Sequence, residues 1–317
     1  MIRIAGLDIA VRANSATALR VVTDALVGQG SRSVDGANPA TAWRIDLLDG
    51  EGGSTLPLAW TWENAVVTDE QVELRCDVTT RTITMLCRGE RWAMVWRDGF
   101  RIHPWERAAP LRPVLDNVFG SIGLTMVHGG TLGIDGRAVL ISARGGSGKS
   151  TCVVAGLRRG LESVGDDFVL LDPQQEVGSS PARVRSLYRT ARLHRSSPAW
   201  RLEDVAAPDE NELRTEEDKS LILLAERYPQ ALKEHQVVDA VFVPELGHAE
   251  PAIEAMSRME ALRAVLPSSL ILADRRTESF ARITAFVRET AAYRLRLSPD
   301  VERNTDAIRA FLQRLGA

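Results

Sequence analysis

The chain has little of what would tie it to an oxidising compartment, a membrane or a nucleic acid. Only three cysteines, Cys76, Cys87 and Cys152, stand in 317 residues, and their spacing matches no metal-ligand pattern and no disulfide framework. Cys76 and Cys87 are near enough in sequence to share neighbouring strands, yet free thiols are the expected state. No run of eighteen apolar residues occurs, so hydropathy excludes a membrane-spanning helix. The opening Met-Ile-Arg-Ile-Ala-Gly lacks the charged and apolar blocks of a secretory signal. A soluble, cytoplasmic protein without membrane contact is therefore expected. Net charge is −3 and the arginines are scattered among carboxylates, so nucleic acid is not an expected partner.

What is present reads as two parts. Residues 1–110 form a β-rich region with no catalytic constellation. Residues 2–9 read as a first strand, 16–26 as a short helix, 28–39 as loop and 43–48 as a strand. Residues 82–87 and 92–96 flank Arg88-Gly89-Glu90-Arg91, a hairpin signal. Five of the seven tryptophans lie between Trp43 and Trp96; sheet packing accounts for them better than ligand stacking does. A proline-containing passage at 104–113 links this region to the second, residues 111–317. There, 114–126 has helical spacing, and the Asp135-Gly136 pair between two apolar runs predicts a hairpin.

The most informative stretch is Ala143-Arg144-Gly145-Gly146-Ser147-Gly148-Lys149-Ser150-Thr151. It follows the apolar run 138–142 and precedes a plausible helix, the strand–loop–helix order that a P-loop requires. Glycines let backbone N–H groups turn toward an anion, the helix N-terminus adds partial positive charge, and Lys149 adds a full one. Ser150 offers a hydroxyl of the kind that holds Mg²⁺. The strict pattern opens with glycine, where this chain has Ala143. Residues 144–151 are thus the expected nucleotide-binding segment. His128 stands one hairpin upstream, and strand pairing would bring it beside the loop.

Eighteen residues after Lys149 comes Asp167, preceded by Gly165 and Asp166 and followed by the apolar run 168–171. Adjacent carboxylates there suit holding Mg²⁺ or taking a proton from an incoming hydroxyl; a solvated turn is the plain alternative. His128-Gly129, the loop at 143–150 and Gly165-Asp166-Asp167, in this order and at these intervals, resemble the catalytic core of the HPr kinase/phosphorylase family and its peptide-kinase relatives. The resemblance covers residues 114–172 clearly and the rest weakly. It implies an α/β P-loop kinase core of the HPr kinase/phosphoenolpyruvate carboxykinase-like type, joined to the β-rich N-terminal region. It further implies ATP and Mg²⁺ as cofactors, Lys149 on the β/γ-phosphates, Ser150 and Asp167 at the metal, Asp167 as general base, His128 near the transferred phosphoryl group and Asp166 in support.

The chain also departs from that family. Where the bifunctional enzymes carry Leu-Glu-Val/Ile-Arg-Gly, it has Ser186-Leu187-Tyr188-Arg189-Thr190-Ala191-Arg192-Leu193. The glutamate is missing, so a second metal contact and reverse phosphorolysis are not implied. The stretch looks more like HPr-kinase-like enzymes of ribosomal and lasso peptide pathways. Arg189, Arg192 and Lys219 become candidate substrate or phosphate contacts. The expected activity is transfer of the γ-phosphoryl group to a serine hydroxyl of a protein or precursor peptide. A small hydroxylated metabolite as acceptor, or a non-catalytic nucleotide sensor, are the alternatives. Downstream, 237–243 reads as a buried strand ended by Pro244, 253–265 and 279–290 as helices, 293–297 as an edge strand, and 300–315 as a closing helix that leaves a homo-oligomer open.

Overall fold

A computed structural model describes residues 1–27, 42–50, 65–69, 71–99, 102, 104–172, 182–201, 219–270 and 276–316. The chain is mixed α/β and divides into two compact units, Met1–Val114 and Leu115–Ala317.

The first unit is built on a seven-stranded sheet. Its elements are β1 (Ile2–Ile4), β2 (Leu7–Ala13), α1 (Ala16–Leu26), β3 (Trp43–Asp49), β4 (Ala65–Thr68), β5 (Val72–Asp77), β6 (Thr82–Cys87), β7 (Trp92–Arg97) and α2 (Pro104–Arg107), with strand order β1-β2-β3-β7-β6-β5-β4. The expected single strand over 2–9 is two. Ala5 and Gly6 both take positive φ, 51° and 85°, the paired left-handed residues of a tight hairpin turn. Helix α1 starts where Ser15 accepts a hydrogen bond from the Ala18 N–H, and it buries Ala18, Val22, Ala25 and Leu26. Trp43 and Trp96 are buried in the unit's core, as packing tryptophans should be; Trp60 and Trp62, and the expected loop at 28–39, lie outside the described residues. Cys76 faces Ile83 and Cys87 faces Val72 across the β5–β6 ladder, so the two thiols sit at opposite ends of the pair and are free.

The second unit follows α3 (Arg112–Gly120), within which the division falls. Its elements are β8 (Thr125–His128), β9 (Gly130–Ile134), β10 (Arg137–Ile141), α4 (Lys149–Arg158), β11 (Phe168–Asp172), β12 (Arg183–Arg185), β13 (Thr190–His194), β14 (Lys219–Leu223), α5 (Leu224–Arg227), β15 (His235–Leu246), β16 (Ala252–Ala255), α6 (Arg258–Leu270), α7 (Arg276–Glu289), β17 (Ala291–Leu297) and α8 (Val301–Gly316). An eight-stranded sheet runs β16-β17-β15-β12-β11-β8, with β10 on the other edge of β15 and β9 beyond it; β13 and β14 pair separately.

Alternation along the central strands sends side chains to two helical layers. Leu140, Val238 and Val241 pack with Val265 of α6 and Ile283 and Phe286 of α7. Val139, Ile141, Ala240 and Phe242 pack with Cys152 of α4 and Ile308, Phe311 and Leu312 of α8. Val238 and Val241 share a face although three residues apart, because the β10–β15 register slips by one at Asp239, as a bulge requires.

Several expected boundaries move. The helix over 114–126 stops at Gly120: Leu124 N–H closes back on Phe119 O at 3.0 Å, Gly123 takes φ 88°, and Met126 belongs to β8. The strand over 237–243 continues through Pro244. Strand β10 ends at Ile141, so beyond Phe242 the strand β15 has, among the described residues, a strand neighbour only on the β17 side, the setting in which a strand tolerates proline. The helix over 253–265 is β16 followed by α6. Residues 293–297 form no edge strand; β17 lies between β15 and β16. The helix over 300–315 is α8, where the Asp300 carboxylate accepts from the N–H groups of Glu302 and Arg303.

Candidate functional site

The site begins where parallel strand β10 hands over to α4. Past Ile141, Ser142 donates its N–H to Phe242 O at 3.0 Å and its hydroxyl to His128 O at 2.6 Å, which pins the start of the loop to β15 and β8. Arg144, Gly145 and Gly146 are exposed, whereas Lys149 is buried. Its ammonium donates to Ala143 O at 2.7 Å and Arg144 O at 3.0 Å, so the lysine closes the loop on itself. Gly148 caps α4 with φ 94° and, having no side chain, makes no side-chain cap bond to the first turn. That leaves a helix N-terminus rich in unsatisfied N–H groups. Thr151 is turned to the Ser197 hydroxyl at 2.9 Å, and the Ser147 hydroxyl is buried without a hydrogen-bond partner among the described residues.

The carboxylate pair reaches the same place by a different route. β11 pairs antiparallel with β8, setting Phe168 opposite His128, so Asp167 emerges beside the imidazole. Asp167 itself has φ 65°, a left-handed conformation in which Asp is among the few tolerated residues. Gly165, two residues earlier, has φ 142°, and a Cβ there would stand 2.4 Å from Tyr188 O. Gly130 matters for space: a Cβ on it would meet Val153 Cγ2 at 2.7 Å and Asp166 Oδ1 at 2.8 Å. These positions admit no side chain without moving the acidic pair.

Adjacent in sequence, the two carboxylates differ in environment. His128 Nε2 lies 3.3 Å from Asp167 Oδ1, and Arg192 Nε lies 3.9 Å from Oδ2. Burial alone would raise the Asp167 carboxyl. The His128 hydrogen bond and the charges of Arg192, His128 and Lys149 outweigh it, so Asp167 is held below the usual carboxylate range. Asp166 is fully buried; the Ser150 hydroxyl and the Asp167 N–H act on its oxygens without closing a hydrogen bond of full geometry. Burial and then the Asp167 charge push its carboxyl up, offset only in part by Ser150, the Asp167 N–H and Lys149. Lys149 is pulled below its ordinary value by burial, against the attraction of Asp166 and Asp167, with Lys219 and Arg192 adding to the lowering.

The tertiary structure therefore gathers His128, Lys149, Ser150, Asp166, Asp167 and Arg192, with Lys219 in electrostatic reach. Arg189 is placed otherwise: its guanidinium pairs with Glu234, and among the described residues no ion pair joins it to the acidic pair. A cavity of about 690 Å³ also opens at the loop, between residues 143–147, the end of β15 and α6. Its Glu245, Leu246 and Arg263 carry no local motif, and sequence reading passed over them. Among the described residues no group of three or more His, Cys, Asp or Glu side chains is set to hold a metal ion, and no helix is long and apolar enough to cross a membrane.

No family model matches the chain, and no curated protein matches it. The solved structure of the HPr(Ser) kinase/phosphatase from Coxiella burnetii is similar at a TM-score of 0.33 and 11% identity, over 61% of this chain and 99% of that one. At that level the likeness carries no weight on what this chain does.

Proposed function

We propose that this protein is an ATP- and Mg²⁺-dependent phosphotransferase that moves a γ-phosphoryl group to a hydroxyl, a serine of a protein or peptide being the acceptor. The observation that carries the reading is the split acidic pair at the glycine loop: Asp167 held ionised by His128, and Asp166 buried beside Ser150 with its oxygens short of full hydrogen bonds. Merely binding a nucleotide needs neither, whereas phosphoryl transfer needs a base for the hydroxyl and a counter-charge for the phosphates.

In this reading the loop N–H groups and the start of α4 cradle the phosphate chain. The Lys149 ammonium exchanges its carbonyl acceptors for phosphate oxygens. Asp167 accepts the hydroxyl proton, and its left-handed backbone aims the carboxylate while His128 fixes its rotamer. Arg192 and Lys219 supply further positive charge toward the acceptor side. The residues present fit a hard divalent cation. The buried Asp166 carboxylate beside Ser150, short of full hydrogen bonds, is an oxygen donor set that favours one, and Mg²⁺ takes one or two carboxylates with phosphate oxygens rather than an all-protein cage. Asp166 with Ser150 suits that role better than Asp167, whose oxygens face His128 and Arg192. Bound Mg²⁺ supplies neutralisation of phosphate charge during transfer.

The test is transfer from γ-labelled ATP with Mg²⁺ to HPr, to serine peptides and to a panel of hydroxylated metabolites, each beside Asp167→Asn. Label on a peptide or protein serine, lost in the variant, is the expected result. Transfer that survives in Asp167→Asn removes Asp167 as the base.

A further inference from the structure

The segment that presents the acidic pair runs along the outer edge of β9 without forming a regular ladder. Gly133 and Glu162 exchange both backbone hydrogen bonds at 2.8 Å, and the Thr131 N–H reaches Gly165 O at 3.3 Å. Between those points side chains meet the backbone groups instead. The Thr131 hydroxyl accepts the Val164 N–H at 2.9 Å. The Ser163 hydroxyl accepts the Gly165 N–H at 3.0 Å and donates to Gly165 O at 3.1 Å. Thr131 in turn donates to Gln236 Oε1 at 2.7 Å, from the start of β15. All three side chains are fully buried. Gly133 leaves room for the glutamine: a Cβ there would stand 2.4 Å from Gln236 Nε2.

A hydroxyl has one proton. With that of Thr131 committed to Gln236, its lone pair is fixed toward the Val164 N–H, two residues before Asp166. Past that point, the Phe168 N–H donates to Asp166 O at 2.8 Å and the Gly129 N–H to Asp167 O at 3.0 Å. The pair is thus held between this buried set of bonds and the β8–β11 ladder. Ladder pairing would also satisfy the backbone of 163–165, yet it would keep the chain extended. Side-chain partners let it leave the strand, to φ 142° at Gly165 and φ 65° at Asp167. We infer that Thr131, backed by Gln236 and Ser163, is a positioning residue for the acidic pair, acting through Val164 and Gly165 rather than on the substrate. Its consequence for transfer rests on the phosphotransferase reading above. There it is large, because a displacement of about 1 Å costs on the order of 10²-fold in rate.

The test sets Thr131→Val, which removes the hydroxyl, beside Thr131→Ser, which restores it. Amide hydrogen exchange on the full chain reads the anchors of the pair directly. In Thr131→Val, exchange at the Gly129 and Phe168 N–H groups should quicken at least about tenfold more than at Ile308, buried in α8. Thr131→Ser should return them to the natural rate. Single-turnover transfer should fall about 10–100-fold in the valine variant, with ATP affinity within a few-fold, and recover in the serine variant. Should Thr131→Val not fold, Ser163→Ala, which removes only the Gly165 clamp, carries the same comparison. Exchange that quickens equally at Gly129, Phe168 and Ile308 would make the hydroxyl merely structural and overturn the inference. Local loosening with transfer unchanged would overturn it too. If the natural protein transfers to no acceptor, the phosphotransferase reading falls, and the exchange comparison alone decides whether Thr131 holds the pair.

Discussion

His128 Nε2 approaches Asp167 Oδ1 to 3.3 Å because the two residues leave antiparallel strands side by side, His128 ending β8 and Asp167 preceding β11. The contact is a consequence of register: a one-residue slip in that ladder would turn the imidazole to the other face of the sheet. The Gly129 N–H, donated to Asp167 O at 3.0 Å, holds the register at this point.

Asp167→Asn is the informative substitution at the base. Asparagine accepts the left-handed backbone that Asp167 adopts, so the variant should fold, whereas Asp167→Ala adds a backbone penalty of about 1–2 kcal/mol. Transfer should fall by roughly 10²–10⁴-fold in Asp167→Asn, with ATP affinity within a few-fold of the natural protein. Single-turnover transfer beside calorimetric binding reads both.

Removing the imidazole should move the acid limb of the pH–rate profile. With His128 present, Asp167 stays ionised below the ordinary carboxylate value near 4, and transfer should persist down to that pH. In His128→Gln the strongest opposition to burial is gone, so the limb should shift to higher pH. An unmoved limb would detach His128 from Asp167 in function.

Asp166→Asn should stabilise the protein without nucleotide at neutral pH. Because burial raises this carboxyl, the folded state binds more protons than the unfolded one between the two values, and stability falls as pH rises through that window. The asparagine variant escapes the penalty. Its higher Tm should be full above the folded value and vanish below about pH 4, the unfolded value. The same variant should lose Mg²⁺-dependent tightening of ATP, which thermal melts with and without Mg²⁺ will show.

Gly165→Ala should be costly far out of proportion to one methyl group. The added Cβ meets Tyr188 O at 2.4 Å and the backbone keeps φ 142°, a strain of about 1–3 kcal/mol before any clash. Urea unfolding should show the loss, and transfer should fall with it as the acidic pair shifts.

Cys152 should resist thiol reagents in the folded protein. It is buried on α4, and burial, then the Asp166 charge, pushes its thiol up to about 12, which leaves almost no thiolate at neutral pH. Cys76 and Cys87 are partly exposed and should react first; full labelling should need denaturant.

Local chemistry was legible in the residues themselves. Gly145 to Lys149 between an apolar run and a helix and the Asp135-Gly136 turn depend on neighbours only a few positions away, and the backbone follows them directly. The acidic pair and His128 were legible as candidates for the same reason. Their contact was not, since it depends on β8 pairing with β11 across forty residues, and periodicity does not state which strands pair. The resemblance gave Asp166 and Asp167 different roles, but only the tertiary structure shows the physical difference between them, which lies in what surrounds each: His128 and Arg192 from remote strands for one, a closed interior beside Ser150 for the other. It also took Arg189 to Glu234, extended β15 past Pro244, and brought the end of that strand to α6 and the loop to enclose a cavity. Sequence sets the conformations that short-range sterics and hydrogen bonds dictate. Burial and charge at a site are sums over distant elements, and they exist only once the chain has packed.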